Sequence, residues 1–177
     1  DQQVTAVYNE ELYVVEGLPK TVDITLVGQR RHIFLAKQSP SKGVSVDLTG
    51  LKPGNHKVTL KYTQRLKSLD YKLDPSRVTI VIHPKVSETR TLTTDVLNQD
   101  KLNNKLTISS VELSKTEVIV KSYEEKLSTV ASVKAIVDAN ALNATTAGTY
   151  TLDNVKLVAY DENGTEITGI EIVPGNV

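Results

Sequence analysis

Apolar residues recur at every second position in a series of short runs. Val22, Ile24 and Leu26 fall on one side of an extended chain, and Asp23 and Thr25 fall on the other. The same period appears in Val44-Val46-Leu48, Val58-Leu60-Tyr62, Val78-Ile80-Ile82, Leu106-Ile108, Val133-Ala135-Val137 and Val155-Leu157-Ala159. Period two with β-branched residues predicts half-buried strands, because successive side chains of a strand point to opposite faces. Turn chemistry separates the runs. Lys52-Pro53-Gly54-Asn55 lies between two of them, and Asp161-Glu162-Asn163-Gly164 predicts a hairpin through its Asn-Gly pair. Helical periodicity is confined to two short segments, 30–36 and 123–130. In the second, Leu127 and Val130 stand three apart and can pin one helical face to a sheet.

The pattern occurs twice. Asn9-Glu10-Glu11-Leu12-Tyr13-Val14 parallels Asn103-Asn104-Lys105-Leu106-Thr107-Ile108, and Leu18-Pro19-Lys20-Thr21 parallels Leu113-Ser114-Lys115-Thr116, at offsets of 94 to 95 residues. Further along, Val46-Asp47 parallels Val137-Asp138, Gly54-Asn55-His56 parallels Gly148-Thr149-Tyr150, and Asp74-Pro75 parallels Val173-Pro174. The landmarks keep their order while the spacing varies, with the longer insertion falling around the Asp161–Gly164 turn. That is the mark of a duplicated domain. The predicted architecture is mainly β: two tandem domains of twisted sheets, each with one short helical segment. They cover residues 1–86 and 87–177. Residues 83–89, with Pro84, read as the linker. The second copy is expected to lack its final strand, because in the first copy Pro75 leads into the run Val78 to Ile82 and the sequence ends at Val177.

The ordered landmarks resemble the YbbR domain. They are Pro19 to Val22 at a strand start, Val27-Gly28 at a strand end, a short Leu-bearing helix, Val46-Asp47-Leu48-Thr49-Gly50, Gly54 to Val58, and Pro75 to Val78. The second copy offers Val118 to Val120, Val133 to Asp138, Gly148 to Leu157 and Asp161 to Pro174. It departs from the pattern where Ser114 stands for proline, Ser122 for the strand-end glycine, and Val137-Asp138-Ala139 for the Leu-Ser-Gly ending. The resemblance implies tandem modules on the extracellular face of a bacterial membrane, behind an N-terminal helix that this sequence does not contain. It implies a non-catalytic regulator like the CdaR proteins of Gram-positive bacteria. The partner would be a membrane diadenylate cyclase of the CdaA type, whose cyclic di-AMP synthesis it modulates. A second function from a different class stays open: a surface scaffold or adhesion module that binds wall glycans or anionic polymers.

Composition narrows the picture. The chain has no methionine and is read as a piece of a longer protein. It has no apolar run long enough to span a bilayer. With no cysteine, it can form no disulfide, zinc-thiolate site or thiol nucleophile. One Phe and no Trp fit two small Val/Ile/Leu cores better than one large core. Net charge is zero but unevenly spread. Residues 1–85 hold 13 Lys/Arg against 8 Asp/Glu, and residues 86–177 hold the reverse.

The chemistry-bearing residues mostly have bland readings. His32, His56 and His83 lie 24 and 27 positions apart, with no local pair to start a zinc site, and read as surface histidines. The Asp161–Glu166 stretch lacks the distal bidentate Glu of a calcium loop and reads as a turn. Asp47 and Asp138 occupy equivalent positions and read as strand-end residues that cap a turn. No nucleophile elbow, Gly-rich phosphate loop or Walker sequence occurs, so no enzyme activity and no cofactor are expected. The densest basic patch is Arg30-Arg31-His32 with Lys37 and Lys42. A solvated surface accounts for it, and the functional alternative is an anion contact through Arg30, Arg31, Lys37 and Lys42 to wall polymer or lipid headgroups. Aromatic interleaving is lacking, so nucleic acid is not an expected partner.

Overall fold

The computed structural model describes residues 1–40, 43–64 and 68–177. The chain divides into two compact units, Asp1–Pro84 and Lys85–Val177. Fourteen strands and two α-helices occur among the described residues. In the first unit these are β1 (Gln2–Val7), β2 (Tyr13–Glu16), β3 (Thr21–Gly28), α1 (Arg30–Gln38), β4 (Val44–Asp47), β5 (Gly54–Thr59), β6 (Lys61–Tyr62), β7 (Leu69–Asp74) and β8 (Arg77–Pro84). In the second they are β9 (Val86–Leu97), β10 (Glu117–Ser122), α2 (Glu124–Leu127), β11 (Ser132–Asp138), β12 (Leu157–Tyr160), β13 (Glu166–Ile167) and β14 (Glu171–Val173). The fold is strand-dominated, as the period-two runs predict.

The first unit holds a five-stranded sheet in the order β6-β4-β1-β3-β7 and a three-stranded sheet in the order β2-β8-β5. Both sheets send their apolar alternates into one core of Val22, Val44, Val46, Leu48, Leu60, Leu73, Ile80 and Ile82. Val44 and Ile80 are fully shielded from solvent. The second unit is built on one sheet, β13-β12-β11-β9-β10-β14. Its core comprises Leu92, Val118, Val120, Val133, Ala135, Leu157 and Ala159 from the strands, with Leu127 and Val130 from α2 and the turn after it. The two cores consist of Val, Leu, Ile and Ala, so no single large aromatic core is needed.

Five strands of the second unit's six-stranded sheet, β12-β11-β9-β10-β14, match the first unit's β6-β4-β1-β3-β7 in order. β1 pairs antiparallel with β3 and parallel with β4, and β9 pairs antiparallel with β10 and parallel with β11. On the flanks β3 pairs antiparallel with β7 and β10 with β14. The Asp74–Pro75 and Val173–Pro174 peptide bonds, which follow β7 and β14, are both cis. Asp47 and Asp138 each end a strand and accept a hydrogen bond from the backbone N–H two residues on, at 2.9 and 3.0 Å. The turn reading of these two carboxylates therefore holds.

Three expectations need correction. Residues 83–89 are not a linker: β8 runs to Pro84 and β9 starts at Val86, which leaves Lys85 alone between strands. Lys85 falls in the second unit, and the charge becomes 12 Lys/Arg against 8 acids in the first unit and 9 against 13 in the second. Second, Leu106 to Ile108 is not a strand. Its first-unit counterpart, β2, exists because it hydrogen-bonds to β8 from Tyr13–Pro84 to Glu16–Val81. Among the described residues of the second unit, 106–108 pairs with no strand. Gly54 opens β5, which also pairs with β8, whereas Gly148 lies outside any strand. Third, the helical segment at 123–130 shrinks to the single turn Glu124–Leu127, although Leu127 and Val130 do bury against the sheet, at 0% and 4% exposure.

A side chain on β9 fastens that short helix. Arg90 Nη2 donates to Glu88 Oε2 at 2.6 Å and to the Leu127 carbonyl at 3.2 Å. A one-turn helix has no stability of its own, because nucleation is unfavourable and few bonds repay it. A charged donor on its last carbonyl therefore matters. Arg90→Ala is expected to cost roughly 1–2 kcal/mol, since a hydrogen bond from a charged group contributes about that much in a partly exposed setting. Urea denaturation monitored by circular dichroism checks this, and an unchanged midpoint would show the contact to be incidental.

Candidate functional site

Sites for chemistry are sparse. Among the described residues no group of three His, Cys, Asp or Glu side chains comes together. His83 Nε2 lies 2.7 Å from Glu16 Oε2 on the neighbouring strand, and His56 Nε2 lies 2.6 Å from the Lys52 carbonyl four residues back. Asp161 accepts from the N–H groups of Asn163 and Thr165, both at 2.9 Å, inside the hairpin that joins β12 to β13. Both amides donate to the same oxygen, Oδ1, which ties the turn together. A shallow depression of about 370 Å³ on the first unit is lined by Leu60, Tyr71, Lys72, Leu73 and Ser76, and it gathers no acid–base pair.

Three carboxylates are held below their ordinary range. Asp47 is lowered by the Thr49 hydroxyl and then the Thr49 amide, and Asp138 by the Asn98 side-chain amide and then the Asn140 amide. Glu171 is lowered by its hydrogen bond to Lys85, 2.8 Å away, with desolvation working against it. In each case the partner stabilises the ionised form. These are structural ties at strand ends and edges. Asn98, in the left-handed region at φ 57°, bonds Asp138 across the parallel pair β9–β11.

The surface that stands out is α1. It begins where β3 ends, with Gln29 as its N-cap in extended conformation and no side-chain cap. Its inward residues, His32, Ile33 and Ala36, are half-buried and none is fully buried. Its outward residues are Arg30, Arg31, Phe34, Leu35, Lys37 and Gln38. Phe34 is 63% exposed and Leu35 is 59% exposed. The helix carries no acid, and two arginines sit in its first turn, where the helix dipole disfavours positive charge. Arg30, Arg31 and Lys37 are all on the exposed side of α1. Lys42 lies outside the described residues. Sequence reasoning missed Phe34 and Leu35. The signal was available: with Ile33 and Ala36 turned inward, a 3.6-residue period turns Phe34 and Leu35 outward.

The YbbR-like protein family model matches residues 3–82, which is nearly all of the first unit. A CdaA regulatory protein, CdaR of Bacillus subtilis (strain 168), is 26% identical over 164 residues, or 93% of this chain. The first unit matches the YbbR-like family. The whole chain spans a third of the length of that CdaR relative. The crystal structure of a YbbR-like protein from Streptococcus pneumoniae TIGR4 superposes with a TM-score of 0.70 at 21% identity. That match covers 99% of this chain and 87% of the other. The YbbR-like fold therefore extends across both units, including the second. No helix among the described residues is long and apolar enough to cross a membrane.

Proposed function

We propose that this YbbR-like chain is a non-catalytic, extracytoplasmic regulatory segment of a membrane-anchored protein. In this reading it acts on a diadenylate cyclase of the CdaA type and sets the rate of cyclic di-AMP synthesis. The supporting observation is similarity to CdaR along 93% of the chain, through both units rather than one motif. The geometry is compatible with it. Asp47, Asp138, Asp161, Glu171, His56 and His83 are engaged in turns, strand ends and edge ties, which suits a binding module better than an enzyme. The cyclase would carry the chemistry, and this chain would present surfaces to it. No cofactor and no nucleic acid enter the proposal.

The test is co-expression of the full-length protein with a CdaA-type cyclase in cells lacking both, with cyclic di-AMP measured by mass spectrometry. A regulator is expected to shift the nucleotide level by on the order of fivefold, the lower end of ordinary coupling between sites. Deleting the region that corresponds to residues 1–177 should remove the shift. An unchanged level with and without the protein would refute the regulatory reading.

A second reading rests on α1. Arg30, Arg31 and Lys37 form an anion contact on its outward face, which suits a surface module that holds wall polymer or another polyanion. Lys42 is proposed with them from the sequence.

A further inference from the structure

The duplication supplies an internal control for the outward face of α1. Gln29 and Tyr123 are the N-caps of α1 and α2, and both are extended residues that follow a strand. Counted from these caps, the inward positions correspond: Ile33 to Leu127 and Ala36 to Val130. The outward positions also correspond, but their chemistry does not. Arg30 and Arg31 stand where the second unit has Glu124 and Glu125, and Phe34 and Leu35 stand where it has Ser128 and Thr129. Those four second-unit residues are all exposed. The fold therefore does not require cations or large apolar groups at these places. One copy has the ordinary polar surface, and the other exposes an aromatic ring and a leucine among three cations.

Stability does not explain the difference. Exposed Phe and Leu gain little by folding, and arginines in a first turn oppose the helix dipole. Local choices that conflict with folding stability mark functional surface. A soluble polyanion would need only the cations. A folded protein partner would need a patch of roughly 800 Å², on the order of twenty residues a side, and a nine-residue helix offers a small part of that. An anionic bilayer asks for what is present. Apolar side chains enter the headgroup–acyl boundary, cations meet lipid phosphates, and no shape match is required.

We infer that the outward face of α1 docks on an anionic lipid bilayer, with Phe34 and Leu35 inserted at the interface and Arg30, Arg31 and Lys37 on the phosphates. The inference builds on the anion contact named above, and it stands or falls separately from cyclase regulation. Attachment through one short face is weak and reversible. It would orient the first unit of an already anchored protein rather than anchor it. The second unit, with acids at the same positions, would be repelled.

The test uses the 177-residue chain and vesicles of equimolar phosphatidylglycerol and phosphatidylcholine, with pure phosphatidylcholine vesicles as reference. Co-sedimentation at low salt is expected to favour the anionic vesicles, and added salt should weaken it. Replacing Arg30 and Arg31 with Gln should reduce partitioning about 25-fold, at roughly fivefold per cation near an anionic surface. Phe34→Ser with Leu35→Thr, which installs the second unit's residues, should reduce it on the order of tenfold or more. The chain has no tryptophan, so Phe34→Trp provides a single reporter whose emission should shift to the blue on anionic vesicles. Because every altered side chain is exposed, the circular dichroism melts should coincide. The proposal is overturned if the Ser/Thr variant binds vesicles as well as the parent, if both vesicle types bind equally, or if neither binds. Binding to soluble teichoic acid that ignores the Ser/Thr change, without vesicle binding, would make the face a wall-polymer contact. Loss of cyclase regulation in that variant, again without vesicle binding, would make it a protein contact.

Discussion

Leu127→Ala is expected to destabilise the second unit by roughly 3–5 kcal/mol, the range for a leucine truncated in a core that cannot fully collapse. Leu127 is fully buried and belongs to the cluster of Leu92, Val118, Val120 and Val133. It also anchors α2, a four-residue helix that survives only by packing. Removing the isobutyl group leaves a void under that turn and loosens the Arg90 bond to the Leu127 carbonyl. A loss of this size is a large fraction of the 5–15 kcal/mol that holds a typical domain together. Hydrogen exchange read by mass spectrometry is the suitable measurement, because a chain of two units need not unfold in one step. Amides of β10 and β11 should lose protection by two or more orders of magnitude. Phe34→Ala in α1 is the matched control and should stay within about 0.5 kcal/mol of the parent, because its ring is in solvent. Equal effects of the two substitutions would contradict the burial described for α2.

Gly17→Ala is expected to destabilise the first unit by roughly 2–4 kcal/mol, for two separate reasons. Gly17 follows β2 with φ at +89°, a conformation that costs an L-residue about 1–2 kcal/mol. Any Cβ there would also lie 2.6 Å from the Thr79 carbonyl oxygen and 3.4 Å from the Ile80 Cα, both backbone atoms of β8. β8 is the middle strand of its sheet and carries the buried Ile80 and Ile82, so it cannot yield without disturbing the core. Gly50→Ala separates the two causes. Gly50 has a similar φ of +82° but nothing within 4 Å of an added Cβ, and should lose only the conformational part. Hydrogen exchange of β8 amides checks the pair. If Gly17→Ala proved as mild as Gly50→Ala, the close approach to Thr79 would not be structural.

The legible part of the fold was the part written in alternation. β3, β4, β8, β11 and β12 are strands at the runs that predicted them, and their buried alternates, among them Val22, Val44, Ile80, Val133 and Leu157, form the two cores. The asparagine-glycine turn and the carboxylate turns at Asp47 and Asp138 were legible because their hydrogen bonds close within a few residues. β9 was not. It is the longest strand at 12 residues and sits between β10 and β11, yet its sequence, VSETRTLTTDVL, buries only Leu92 deeply. It pairs with β10 over residues 86–91 and with β11 over 92–97, and backbone hydrogen bonds to successive partners leave no trace in the side-chain pattern. The opposite error fell at Leu106 to Ile108, where the alternation is present and no strand pairs with it among the described residues.

The candidate surface divides the same way. Arg30, Arg31 and Lys37 were visible as charge in the sequence, but whether they shared a face with anything apolar depended on which way α1 turned. By itself the sequence determined that the chain is strand-rich, duplicated and free of cysteine chemistry, because period, repetition and composition are local or countable properties. Tertiary structure alone decided which runs become strands, since a strand exists only where another edge accepts its hydrogen bonds. It alone also set how far α1 is covered: His32, Ile33 and Ala36 are half-buried, and Phe34 and Leu35 stay in solvent.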